Sequence, residues 1–510
     1  MLLAGRRIVV NGHVLPLEPR RAARVVVDEV RAMPLLLRAW LGALLGVAAV
    51  AGVAALIALP PGWEVFGTTP TFEWGLLIVG YVFFAIMTSG LCLASSLGTV
   101  FGIDRFRPLE RRHAILAVLS LTAAFGIIAL DLHYPVRMVL GAVLSPTPTS
   151  PMWWMGVFYG GYLVILLVEV WSMFWDHPVI HAWACTAAAG MAVVAPFTLG
   201  AVFAVLAARP SWHGPFTPVL MVATAFLAGT ALLTMAFAVV GRLGLAGHER
   251  SERLAVPGLR LLLGGGLLVV GVLVARSVLV GLGGGERGLR EATEAVISGP
   301  LAPTFWLVRV GLGLAVPLVL VGLPVAAVGF GRLRIGPFRI GSVRIFRGSG
   351  WLGLAGACAL VGVLADRFLF VSGGQIAPVT ASAGVVTQGF AFYAPSLVEV
   401  GIVAGAAAYV ALGYTLAERY LDLRESDVHV GFVLAPVARG AWRLGWAGAS
   451  GAVAAGRRVA RWVAVSAGWL ARSVARFVAG EASGSVAEAP AAEAPPSESV
   501  GPSSGPDVDR

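Results

Sequence analysis

The sequence predicts an all-α integral membrane protein of about ten transmembrane helices, on three observations. Of its 510 residues, 58% are hydrophobic and 13% charged, with mean hydropathy +0.85; a soluble globular chain carries roughly 25% charged residues. Apolar runs of about 20 residues, the length a helix needs to cross a bilayer, recur along most of the chain. Arginines gather in alternate connections between those runs, as in a polytopic topology. The chain has no lysine, so its formal charge of +10 is carried by arginine. Basic residues placed beside spans report topology, which argues against nucleic acid as a partner.

Residues 1–33 form an arginine-rich leader without a short apolar core and cleavage site, so it is expected to remain, and to remain cytoplasmic. Ten spans are then predicted: Pro34 to Leu59, Trp74 to Gly98, Arg112 to Leu132, Met152 to Trp175, Ile180 to Ala207, Phe216 to Gly241, Pro257 to Leu282, Ala302 to Phe330, Trp351 to Val371 and Pro395 to Ala417. Arginines cluster in the leader, in the second-third loop (Arg105, Arg107, Arg111, Arg112), in the sixth-seventh loop and in the eighth-ninth loop. The first-second and ninth-tenth loops have essentially none, so both termini are expected to be cytoplasmic, in a multi-pass protein of a bacterial cytoplasmic membrane. Residues 34–417 thus make one membrane domain. Residues 418–479, Ala, Gly, Val and Trp mixed with Arg, read as a basic amphipathic segment on the anionic inner leaflet, with an eleventh span as the alternative. Residues 480–510 have almost nothing to bury and read as a disordered tail.

Walking each span at about 1.5 Å per residue sorts the polar residues by depth. Glu73, Asp131, His133, Arg137, Tyr159, Asp366, Arg367, Gln375 and Glu399 fall near the outer face, and Arg309 lies a short way into the eighth span. Glu169 lies about 17 residues into the fourth span, roughly 25 Å down, toward the cytoplasm. Ionisable groups at such positions are costly and mark a site more often than decoration.

Haem is disfavoured, because all eight histidines fall in loops or at span ends rather than facing one another at mid-membrane. Cys92, Cys185 and Cys358 are far apart and without CxxC spacing, so no iron-sulfur cluster, metal site or redox disulfide is expected, and they read as buried small residues. A quinone needs no covalent ligand: an apolar cleft, aromatic walls and a few groups able to exchange protons suffice. Asp131 and His133 are the candidates for that exchange, and an imidazole with an ordinary pKa of about 6.5 suits it. Glu73, Trp74, Trp153 and Tyr159 are the candidates for the walls and hydrogen bonds.

The runs WGLLIVGYVFFAIMTSGLCLASSLGTVFGIDRFRPL, LDLHYPVRMVL and SPMWWMGVFYGGYLV, followed by ARPSWHGPFTPVLMVATAFLAG, DRFLFVSGGQIAP and YAPSLVEVGIVAG, resemble in order the NrfD/PsrC family of polysulfide reductase membrane subunits, in its HybB-like (hydrogenase-2) branch. The resemblance covers Trp74 to Tyr414. It implies a haem-free quinone/quinol subunit, menaquinone or ubiquinone, built of two four-helix bundles, spans 2–5 and 6–9, with spans 1 and 10 alongside. It implies docking to a periplasmic ferredoxin-like iron-sulfur subunit, and through it to a hydrogenase, a molybdopterin oxidoreductase or a multihaem cytochrome. The family's quinone site lies near the outer face of the first bundle, where Asp131 and His133 fall. The family turn LDLGRP reads LDLHYP here, making His133 a feature of this subgroup.

Each residue also has a plainer reading. Asp131 suits a helix cap or an ion pair with Arg137, His133 a solvated interface tip, and Trp153 and Tyr159 an interface belt. Glu169, with Ser95 and Asp176, suits a proton path from the cytoplasm, or Glu169 is a satisfied structural carboxylate. Arg137, Arg309, Asp366, Arg367, Gln375 and Glu399 suit a structural charge network or the docking of a partner. A secondary transporter and a catalytically inert anchor are the alternative functions; a transporter would gather its polar groups at a midplane site between inverted halves.

Overall fold

The computed structural model describes residues 2–3, 8–10, 13–15, 28–59, 65–70, 72–132, 136, 139–140, 144–175, 177–245, 248–284, 287–322, 349–376, 393–421 and 423. His133, Arg137, Asp176, the predicted end of the eighth span and the segments 424–479 and 480–510 therefore lie outside the described residues. Within the leader, three short strands, β1 (Leu2–Leu3), β2 (Ile8–Val10) and β3 (His13–Leu15), pair antiparallel in that order. The hydropathy reading gave no sign of them.

The membrane helices are α1 (Leu35–Ala58), α2 (Leu76–Thr99), α3 (Glu110–Asp131), α4 (Pro151–Phe174), α5 (Pro178–Ala204), α6 (Phe216–Arg242) and α7 (His248–Gly283). After a short amphipathic α8 (Arg287–Ile297) come α9 (Thr304–Ala315), wound as a π-helix and continuing to Gly322, α10 (Ser349–Ile376) and α11 (Leu397–Tyr420). Ten of these are long and apolar enough to cross a membrane, which makes the chain a multi-pass integral membrane protein. Prolines at the first turns of α4 and α5 start those helices, where no backbone donor is lost. Where the described residues allow comparison, the predicted bounds hold to within a turn except at α7, which starts nine residues before Pro257, and at α10, which continues past Val371 to Ile376.

Helices α2–α5 pack on one another as one cluster and α6, α7, α9 and α10 as a second, while α1 and α11 pair beside them and rest on α3. The clusters meet along α2 and α6, which cross at Gly90 and Gly229, where a Cβ on either would strike the backbone of the other helix. Small residues at a crossing let two backbones approach where lipid supplies no hydrophobic drive. α2 is the most enclosed span, with 83% of its apolar window buried, against 11% for α1.

Between the α1–α11 pair and helices α6 and α10 lies an apolar cavity of about 280 Å³.

Candidate functional site

At the end of the helices where α3 finishes, the segment Phe72–Gly75 is held from several sides. Ser396 caps α11: its hydroxyl accepts from the Glu399 backbone N–H at 3.2 Å, and the Glu399 carboxylate accepts from the Ser396 N–H at 2.8 Å. The same carboxylate, 1% exposed, reaches across to accept from the N–H groups of Gly67 at 3.0 Å and Leu76 at 3.2 Å and from the Tyr393 hydroxyl at 2.7 Å. Tyr393 stacks on Phe72 with ring centres 4.8 Å apart. Burial and the adjacent Glu399 charge push the Tyr393 phenol above its usual pKa, so it remains a protonated donor.

Gln375, in the last turn of α10, grips the Trp74 backbone twice: its Oε1 accepts the Trp74 N–H at 2.9 Å, and its Nε2 donates to the Trp74 carbonyl at 3.0 Å. The Trp74 indole stacks on Trp212 at 5.1 Å and meets the edge of Phe203 at 5.3 Å. Gly374 lies against the Trp212 ring where any Cβ would collide, so the residue beside Gln375 has to be glycine. Asp131, the last residue of α3, is half-buried and within electrostatic reach of both Glu399 and Tyr393. Exposed Glu73 faces Arg209, which donates to the Gln375 carbonyl at 3.4 Å. Burial lowers the Arg209 pKa while Glu73 opposes the shift.

A file of buried polar side chains runs through the first bundle from the opposite end. Glu110 Oε1 and His181 Nε2 are 2.7 Å apart, and His181 Nδ1 meets the Ser172 hydroxyl at 3.2 Å. Cys185 Sγ lies 3.5 Å from His181 Nε2 and 3.6 Å from Glu169 Oε1, and that carboxylate is 3.1 Å from His113 Nε2. Glu169 is fully buried and its second oxygen has no hydrogen-bond partner. Next come Cys92, which interacts with His113, and Tyr162, which interacts with Cys92, Glu169 and Tyr159. Tyr159 in turn neighbours Ser89 and Tyr81. The hydroxyls of Tyr159, Tyr162 and Ser89 are buried, with only one another and Cys92 at the margin of hydrogen-bond reach. Hydroxyls so weakly satisfied inside a membrane domain are costly unless water joins them. The file reaches Tyr81, seven residues along α2 from Trp74, about 10 Å away.

The second bundle holds a different cluster. Asp366 of α10 pairs with Arg367 beside it and with Arg309 of α9, and Arg367, fully buried, also lies against Met221 of α6. The sequence put Asp366 and Arg367 near the outer face; they sit ten residues inside the end of α10, about 15 Å down.

Of the predicted residues, Glu73, Trp74, Asp131, Gln375 and Glu399 converge at the Asp131 end, whereas Tyr159 lies in the file and Trp153 packs edge-on against Trp154 in the first turn of α4. Ser95 donates to the Cys92 carbonyl on its own helix. Glu169 lies in the last third of α4, fully buried. Its partners His113 and His181, with Glu110, Cys92 and Cys185, were missed: the histidines were read as span ends and the cysteines as apolar filler. The available signal was spacing, Glu110-x-x-His113 and His181-x-x-x-Cys185, each of which shares one helix face. Among the described residues, no group of three or more His, Cys, Asp or Glu is arranged to hold a metal ion.

The sequence family described as polysulphide reductase, NrfD, matches residues 64–330. The chain is 26% identical over 318 residues to the Hdr-like menaquinol oxidoreductase integral membrane subunit of Archaeoglobus fulgidus, covering 61% of this chain and 73% of that one. It is 23% identical over 371 residues to a selenate reductase subunit of Mesobacillus selenatarsenatis, covering 65% and 80%.

Proposed function

The chain belongs to the polysulphide reductase NrfD family, and we propose that it is the quinone-reacting membrane subunit of a respiratory oxidoreductase complex, in the HybB-like branch. The names of its two relatives, a menaquinol oxidoreductase subunit and a selenate reductase subunit, support that class of complex. The observation that carries the reading is the file of buried exchangeable groups within the first bundle, Glu110, His181, Glu169 and His113.

In this reading a menaquinone or ubiquinone head lies at the Asp131 end beside the Trp74 face. Oxidation of the quinol releases two electrons and two protons, and reduction takes up the same. The electrons pass to or from a ferredoxin-like iron-sulfur subunit docked at that end, and beyond it a hydrogenase, a molybdopterin oxidoreductase or a multihaem cytochrome. Asp131, with His133 beside it in sequence, exchanges the proton at the quinone oxygen. Glu73 and Trp153 border the site. Tyr159 and the file through Glu169, flanked by Ser95 and opening near Asp176, link that exchange to the cytoplasm, where both termini lie in a bacterial cytoplasmic membrane. Gln375 and Glu399 hold the Trp74 segment, while Arg309, Asp366 and Arg367 brace the second bundle and Arg137 faces the iron-sulfur protein. The domain limits 1–33, 34–417, 418–479 and 480–510 belong to the same reading.

The test is quinone-linked turnover of the purified complex carrying Asp131→Asn. Lost activity in a fully assembled complex is expected; wild-type turnover would remove Asp131 from the reaction.

A further inference from the structure

The cavity between the terminal helices and the second bundle has no role in the reading above. It is lined from six helices, α1, α2, α3, α6, α10 and α11, by side chains such as Trp40, Phe84, Met87, Leu232, Leu364 and Tyr414. The polar atoms at its margin are already engaged. Trp40 Nε1 donates to the Thr415 hydroxyl at 3.1 Å, and that hydroxyl donates to the Ala411 carbonyl at 2.7 Å. Tyr414 donates to Glu418 at 2.6 Å, and Glu418 is paired with Arg112 at 2.5 Å.

Two consequences follow from that chemistry. A quinone head, which needs hydrogen bonds at both oxygens, finds no free donor here, whereas a hydrocarbon chain needs none. The cavity lies within the apolar windows of its helices, so in a bilayer the solvent available to fill it is lipid. The remaining question is what holds the lipid's polar end. Arg242, three residues after the lining residue Val239 and on the same face of α6, stands about 4.5 Å further along the axis, with its guanidinium against Gly350 at the start of α10. It is exposed and has no ion pair among the described residues.

We infer that this cavity is a binding site for an anionic glycerophospholipid, one acyl chain between α1–α11 and α6–α10 and its phosphate at Arg242. The lipid fills the seam between the terminal helix pair and the second bundle, where α1 has little protein to pack on.

The experiment is extraction and mass spectrometry of lipid retained by the full complex after extensive washing in mild detergent. It compares the wild type with Ala411→Leu, which narrows the cavity, and with Arg242→Gln. The wild type should retain an anionic phospholipid, and Ala411→Leu should retain less of it. Arg242→Gln should favour anionic over zwitterionic lipid roughly fivefold less, as expected for one arginine at a membrane surface. Should Ala411→Leu fail to assemble, Arg242→Gln decides alone. An unchanged anionic preference in Arg242→Gln, no phospholipid retained by the wild type, or quinone displaced from the wild type by Ala411→Leu instead of phospholipid would each overturn the assignment.

Discussion

The two bundles bury charge in opposite ways. The first places two carboxylates against two imidazoles, Glu110 with His181 and Glu169 with His113, with Cys185 between the pairs. The second sets two guanidiniums around one carboxylate, Arg309 and Arg367 around Asp366. An imidazole can both give and take a proton at its two ring nitrogens, whereas a guanidinium only donates. In the proposed reading, one bundle passes a proton along its interior while the other holds a fixed charge.

The contrast breaks most visibly at Asp366. Asp366→Asn leaves two buried cations without a counter-charge and should cost about 3–5 kcal/mol, read as loss of assembled complex from the membrane; a stable, assembled variant would end the reading of the second bundle as a brace. Asp131→Asn should leave assembly intact and lower quinone-linked turnover by about 10²-fold or more, the usual contribution of a positioned acid or base. Glu169→Gln sharpens the comparison, because a neutral amide of equal size suits the fold but not proton transfer. Its assembly should match the wild type, while proton uptake from the Glu110 end of reconstituted vesicles, followed with an interior pH dye, should slow roughly tenfold.

Gln375→Ala removes both hydrogen bonds to Trp74, worth about 1 kcal/mol each. It should raise the KM for quinol several-fold with little change in kcat, since the second bundle holds the site without taking part in the chemistry. Ser95→Ala should have the smallest effect, within about 0.5 kcal/mol of wild-type stability and with proton uptake nearly unchanged, because its hydroxyl serves only its own helix.

Hydropathy alone exposed the ten spans, since each is long, apolar and bounded by arginine or proline. Asp131 and Glu169 were legible for a related reason: a lone carboxylate in an apolar run stands out in one dimension. Their surroundings were not. His113 and His181 lie in the first turns of α3 and α5, where a sequence reading expects solvent, and only packing against α4 buries them. The Gln375 grip on Trp74 joins residues 301 positions apart, a pairing that no local pattern encodes. The end of α10 was placed too early: the helix runs five residues past Val371 and so carries Gln375 to Trp74.

The Glu399 clasp also sets an order of events during synthesis. Gly67 and Glu399 are 332 residues apart, and at roughly 5–20 residues per second the ribosome takes on the order of 20–60 s to pass from one to the other. Through that interval the Phe72–Gly75 segment lacks the carboxylate that fixes it, whatever state the earlier helices have reached. The Asp131 end is completed only when the last span enters the membrane, so a chain stopped short of α11 carries most of the fold and an unformed site.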